Sequence, residues 1–146
     1  MTRRYYGTKL VTAWPQQGKN PESGCYEDGP DGYAVKYEDG YVSWSPKNVF
    51  ERAYQPMDQL SFGHALCALK SGQKVARSGW NGKGKFLFLV PGSVFQVNRK
   101  PLLGIYPEGT EIQYHAHIYI KTADGMVVPW LASQTDVLAD DWMVLE

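Results

Sequence analysis

The sequence predicts an α+β fold, a largely antiparallel sheet with one main helix, preceded by a small ββα-type unit. Three observations carry this expectation. Past residue 73, short β-branched and aromatic runs alternate with Gly and Pro turns. Phe62, Ala65, Leu66 and Leu69 fall at i, i+3, i+4 and i+7, the stripe of an amphipathic helix. Asp39-Gly40 separates two aromatic-rich runs, a strong hairpin signal.

Taken in order, Lys9 to Ala13 is a short strand candidate, followed by a Gly/Pro/Asn/Asp-rich loop from Pro15 to Pro30. Tyr33 to Tyr37 and Tyr41 to Trp44 form the hairpin around Asp39-Gly40. Ser45-Pro46 reads as a helix start, Ser as N-cap and Pro at the first helical position, with Val49, Phe50, Ala53 and Tyr54 as its apolar stripe. Residues 1–54 thus make an N-terminal accessory unit, 55–58 a linker that proline keeps non-helical, and 59–146 a second domain. There Ser61 caps the main helix and Gly72 ends it. His64 stands where a capping box wants Glu or Gln, so this cap is half built. Strands are expected at Lys74–Arg77, Lys85–Val90, Ser93–Asn98, Glu111–Lys121, Met126–Pro129 and Trp142–Leu145, with one capped helical turn over Thr135–Asp141.

A length of 146 residues at 43% hydrophobic content suits one medium domain or two small ones with a real core. Fifteen basic residues balance fifteen acidic ones, which leaves no broad electrostatic footprint for duplex nucleic acid. Any anionic partner is small and locally held. No run approaches the roughly 20 apolar residues of a membrane span, and Met-Thr-Arg-Arg-Tyr-Tyr lacks a secretory signal's apolar core, so a cytoplasmic location is expected. Cys25 and Cys67 are expected as free thiols, with neither a disulfide framework nor a zinc site.

The segment most suggestive of chemistry joins a glycine-rich loop to an apolar strand at residues 76–92. Gly79, Gly82 and Gly84 allow amides to face an anion, and Trp80, Asn81, Arg77, Lys83 and Lys85 add an aromatic plate, an amide and cations. These groups suit a base, a ribose and a phosphate. A triphosphatase loop is excluded despite the spacing of Gly79 and Gly84-Lys85, because Phe86 replaces the magnesium-binding hydroxyl and a strand follows instead of a helix. A plain turn with solvated lysines fits the same residues and stays open.

His115 and His117 would share one face of a strand, yet no third ligand stands nearby and Tyr119 continues that face, so no metal is predicted. Asp136, Asp140 and Asp141 could do acid–base chemistry, but beside Ser133, Gln134 and Thr135 they also read as ordinary helix capping. No Ser/His/Asp or Cys/His nucleophile arrangement is recognisable, and no cofactor is called for.

Blocks at Ser61–Leu66, Val75–Gly84, Phe86–Gly92, Gly104–Thr110 and Trp130–Trp142 resemble, in order, the second family of Thoeris anti-defence proteins of phages, over about residues 58–146. The resemblance implies a binding protein and not an enzyme. Such proteins sequester a glycosidically cyclised isomer of ADP-ribose, the Thoeris immune signal, in pockets formed where protomers of a homo-oligomer meet. Some relatives also hold cyclic dinucleotides at a separate site. Carried over by motif, ligand binding falls on Arg77, Trp80 and Asn81 in the glycine block and on Ser133, Gln134, Thr135 and Asp136 in the tail block. Residues 1–54 lie outside the resemblance, although the segment from Asp39 to Lys47 is similar to small accessory modules of phage genomes. The competing readings are a phosphodiesterase or glycohydrolase using the Asp cluster, and a virion structural protein whose aromatics are interfaces.

Overall fold

A computed structural model describes residues 2–80 and 83–146, arranged in two compact units, Met1–Pro56 and Met57–Glu146. In the first unit, strands β1 (Thr12–Pro15), β2 (Gly32–Lys36) and β3 (Val42–Pro46) form an antiparallel sheet in that order, and helix α1 (Lys47–Ala53) follows. The Asp39-Gly40 turn forms as the sequence predicts. Gly40 takes a left-handed φ of 86°, the Asp39 carboxylate accepts from Tyr41 N at 3.0 Å, and Tyr37 N donates to the Tyr41 carbonyl at 2.9 Å.

Two details of this unit depart from expectation. The first strand lies later than Lys9–Ala13 and pairs with β2, Ala13 opposite Val35 and Trp14 opposite Ala34, so the unit is βββα. Gln16 anchors its exit, donating its N–H to Gly32 and accepting the Trp44 indole N–H at 2.9 Å. Ser45 is not a helix cap. Its backbone is engaged in β3 opposite Tyr33, and Pro46 takes the cap position with no side-chain bond. Tyr33 of β2 instead ties α1 to the sheet by stacking on Phe50 at 4.4 Å, and Phe50 stacks in turn on Tyr54 at the end of the helix at 4.8 Å.

The second unit places helix α2 (Phe62–Lys70) on a five-stranded antiparallel sheet. Its strands are β4 (Lys74–Arg77), β5 (Phe86–Val90), β8 (His117–Lys121), β9 (Val127–Pro129) and β10 (Trp142–Leu145), ordered β10-β4-β5-β8-β9. Strands β6 (Ser93–Gln96) and β7 (Glu111–Tyr114) pair in a small sheet of their own, and α3 (Gln134–Val137) precedes β10. The α+β class is therefore as predicted. Leu60, Ala65, Ala68, Leu69, Val75, Leu87 and Trp142 form the core between α2 and the sheet.

The main helix ends as its sequence predicts. Gly72 has φ 86°, its N–H bonds the Leu69 carbonyl, and Gln73 N bonds the Ala68 carbonyl, a Schellman closure. At the other end the Ser61 hydroxyl meets His64 Nδ1 at 2.9 Å and makes no side-chain cap bond to the helix backbone.

Glu111–Lys121 is not one strand. It breaks at His115–Ala116, where β7 leaves for β6 and β8 joins β5. The opposite chain bends at the same level through Pro91-Gly92, and a Cβ on Gly92 would lie 2.9 Å from the Tyr114 carbonyl, so only glycine fits there. The two histidines therefore do not share a strand face. His117 Nδ1 donates to the His115 carbonyl at 2.8 Å, and no metal-holding group of three His, Cys, Asp or Glu side chains occurs among the described residues. Cys25 and Cys67 are exposed free thiols, and no helix among the described residues is long and apolar enough to cross a membrane.

Candidate functional site

The last strand determines where the site forms. Strand β10 zips antiparallel along β4, Trp142 opposite Arg77 and Leu145 opposite Lys74. The glycine loop after Arg77 and the tail before Trp142 are thereby forced side by side, and Ser78 N bonds the Asp141 carbonyl at 3.1 Å. Trp142, fully buried, fixes the tail from below by donating its indole N–H to the Asp136 carbonyl at 2.9 Å.

The tail itself is a short capped turn. Ser133 is the N-cap of α3 and Asp136 closes the capping box, with Asp136 N on Ser133 Oγ at 3.1 Å and Ser133 N on Asp136 Oδ2 at 3.3 Å. Ser133 Oγ also donates to Asp136 Oδ2 at 2.7 Å and lies 2.8 Å from Thr135 Oγ1. The cap is thus Ser133, and the helical turn, Gln134–Val137, starts and ends earlier than the expected Thr135–Asp141.

Asp136 joins this turn to the glycine loop. Its Oδ1 accepts Arg77 Nη1 at 2.8 Å and the Trp80 indole N–H at 3.3 Å. Arg77 Nε reaches Asp141 Oδ1 at 2.8 Å, and Asp141 Oδ2 accepts Gly79 N at 2.8 Å and Ser78 Oγ at 3.2 Å. The guanidinium therefore sits between two carboxylates. The Arg77 and Asp136 side chains are only 18% and 13% exposed, which limits solvent screening.

These contacts set the protonation of the site. Hydrogen bonding to Asp141 first, and to Asp136 second, raises the Arg77 pKa and keeps the guanidinium charged. Arg77 holds the Asp141 carboxyl below its usual range, aided by Gly79 N–H and Ser78 against a smaller cost of burial. For Asp136, burial alone would push the pKa up. Donation from Ser133, Arg77 and Trp80 outweighs it, and the carboxyl is held low.

Of the residues singled out from sequence, Arg77, Trp80, Ser133, Thr135 and Asp136 are brought into one network. Gln134 is exposed at the first position of α3, and Asn81 lies outside the described residues. Trp80 is half-buried, its ring edge-on to Trp142 with centroids 5.4 Å apart. Gly79 N–H, one of the amides a glycine nest would turn to an anion, is already taken by Asp141. Asp141, which the sequence offers as a possible acid or as part of ordinary helix capping, instead pairs with Arg77, Ser78 and Gly79 of the glycine block. The signal lay in strand pairing: if Trp142–Leu145 lines up with Lys74–Arg77, Asp141 must fall beside Ser78.

Exposed apolar side chains border the tail turn, Leu131 at 91% and Leu138 at 75%. Clefts of about 340 and 350 Å³ occur in the first unit around Gln16 and Gln17, and none of the residues the motifs single out lines them.

Fold and site together define a small α+β domain in which a glycine loop and a capped tail are latched into one polar patch. Residues 60–145 match the Tad2-like family, the Thoeris anti-defense 2-like domain, and the chain belongs to it. It is 45% identical over 87 residues to Thoeris anti-defense 2 of Bacillus phage SP01, an alignment covering 60% of this chain and 96% of that protein. Membership assigns the chain a phage anti-defence role.

Proposed function

We propose that the protein is a sponge that binds a glycosidically cyclised ADP-ribose isomer, the Thoeris signal, and holds it without degrading it. The observation that carries this reading is the joining of Trp80 to the Ser133–Asp136 turn through Asp136, which brings both motif blocks into one patch. Such a ligand offers adenine, two riboses and a pyrophosphate. Trp80 and Asn81 serve the base, Ser133, Gln134 and Thr135 the ribose hydroxyls, and Arg77 and Asp136 complete the wall. A preorganised wall lowers the entropic cost of capture.

The site's chemistry favours storage over turnover. Asp136 accepts from Arg77, Trp80 and Ser133, and Asp141 from Arg77, Ser78 and Gly79, so each carboxylate is saturated with donors. A carboxylate held low in this way is a weak base and is not protonated at neutral pH, which suits neither half of acid–base catalysis. Leu131 and Leu138, which flank the tail turn in sequence, are exposed. A second protomer covering these apolar side chains would complete the pocket in a homo-oligomer. In this reading residues 59–146 are the sequestering domain, residues 1–54 an accessory unit, and the host cytoplasm the place of action.

Calorimetric titration with a panel of cyclic ADP-ribose isomers and cyclic dinucleotides tests the proposal. Saturable tight binding of at least one cyclic ADP-ribose isomer is expected. Absence of binding across that isomer panel overturns the sponge. Binding of cyclic dinucleotides that persists when the isomer site is saturated would mark a second, separate site.

A further inference from the structure

We propose that Arg77 and Asp141 are positioning residues, an ionic latch that holds the glycine loop and Trp80 in binding orientation, and that Arg77 is not the partner of the ligand's phosphates. The assignment of a ligand to this site rests on the sponge reading above; the latch itself rests on geometry alone.

The guanidinium spends Nε on Asp141 at 2.8 Å and Nη1 on Asp136 at 2.8 Å, with the Thr135 carbonyl at 3.4 Å. One positive charge faces two carboxylates that their hydrogen bonds keep ionised, so this cluster carries a net negative charge and repels a pyrophosphate. The far oxygen of Asp141 holds Gly79 N and the Ser78 hydroxyl, the two groups of the loop nearest the strand end. Trp80 comes next, its N–H on the Arg77 carbonyl at 3.3 Å and its indole on Asp136. Both of these hydrogen bonds on Trp80 therefore end on Arg77 or Asp136, beside the ring's edge-on contact with Trp142. Cations for a phosphate remain on the same loop in Lys83, which is exposed, and Lys85, which is half-buried. A planar guanidinium can bridge two carboxylates from separate nitrogens, whereas an ammonium is a point charge and cannot hold the same geometry.

Two variants of the full chain, Asp141→Asn and Arg77→Lys, decide between positioning and direct contact. Removing the Asp141 charge frees Arg77, so a direct phosphate contact predicts tighter binding in Asp141→Asn and near-parent binding in Arg77→Lys. The latch predicts the opposite sign: both variants bind a cyclic ADP-ribose isomer about tenfold more weakly, as expected for loss of a charge-assisted bond. Amide exchange of Gly79 in the free protein, read by NMR, gives a ligand-independent arm. Exchange about tenfold faster in Asp141→Asn supports the latch even if no isomer binds the parent, in which case the sponge reading alone fails. Unchanged Gly79 exchange, or Asp141→Asn binding as tightly as the parent or more so, overturns the latch.

Discussion

Arg77 and Asp141 stand 64 positions apart in the chain and meet at 2.8 Å, Nε to Oδ1. The contact follows from strand pairing, because β10 lies against β4 with Trp142 opposite Arg77. It makes the site a product of the last strand as much as of the glycine loop.

Trp80 offers the most direct probe of ligand stacking. Trp80→Ala is expected to weaken binding of a cyclic ADP-ribose isomer by roughly 1 to 3 kcal/mol, the range for a base stacked on an aromatic side chain. Trp80→Phe keeps a ring but loses the indole bond to Asp136 at 3.3 Å and should lie between the two. Calorimetry on folded variants checks the order, and equal affinities would remove Trp80 from the site.

A side chain at Gly79 would press on the Asp141 carboxylate. A Cβ there would lie 2.8 Å from Asp141 Oδ2, the oxygen that already accepts Gly79 N and Ser78 Oγ. Gly79→Ala should therefore displace that carboxylate and cost about 1.5 to 3 kcal/mol in denaturant unfolding, the worth of a charged hydrogen bond. Gly63 in α2 is the control. Its Cβ would meet nothing closer than Ser61 Oγ at 3.8 Å, and Gly63→Ala should stabilise by roughly 0.5 to 1 kcal/mol.

The pH dependence of stability follows from the carboxylates. Asp141 and Asp136 have folded pKa values below their ordinary ones, Asp141 chiefly through Arg77, and Asp136 because Ser133, Arg77 and Trp80 outweigh the upward push of burial. A depressed folded pKa means stabilisation that is complete above the unfolded value, about 3.9, and is lost as pH falls through the folded value. Arg77 stays charged throughout. The stability gap between the parent and Asp141→Asn should be flat from pH 8 to about 5 and shrink below about 4. A gap that stays constant down to pH 2 contradicts this linkage.

The second unit should act without the first. The family match spans residues 60–145, all within Met57–Glu146, which has its own core. Residues 57–146 expressed alone are expected to fold cooperatively and bind the same isomer within about threefold of the full chain, a difference under 1 kcal/mol. Loss of binding in the folded fragment would give residues 1–54 a direct part in the pocket.

Local features of the fold were the legible ones. The α2 stripe, its Gly72 terminator and the Asp39-Gly40 turn depend on residues a few positions apart, and each formed as read. Features set by distant pairing were not. The period-2 pattern of Glu111–Lys121 runs unbroken through His115–Ala116, and only the bend imposed by Pro91-Gly92 on the partner chain reveals the break. Ser45-Pro46 has the chemistry of a helix start, yet pairing with β2 claimed its backbone. The site shows the same division. Trp80, Ser133 and Asp136 stand in recognisable blocks, whereas the role of Asp141 depends on the alignment of β10 with β4.

Sequestration without chemistry is tested most directly by recovering the ligand. Excess protein is incubated with a cyclic ADP-ribose isomer, the free ligand is measured, the protein is denatured, and the supernatant is analysed by chromatography and mass spectrometry. The sponge account predicts depletion of free ligand before denaturation and full recovery of the intact isomer afterwards. Degraded ligand accumulating beyond one equivalent of protein would contradict it.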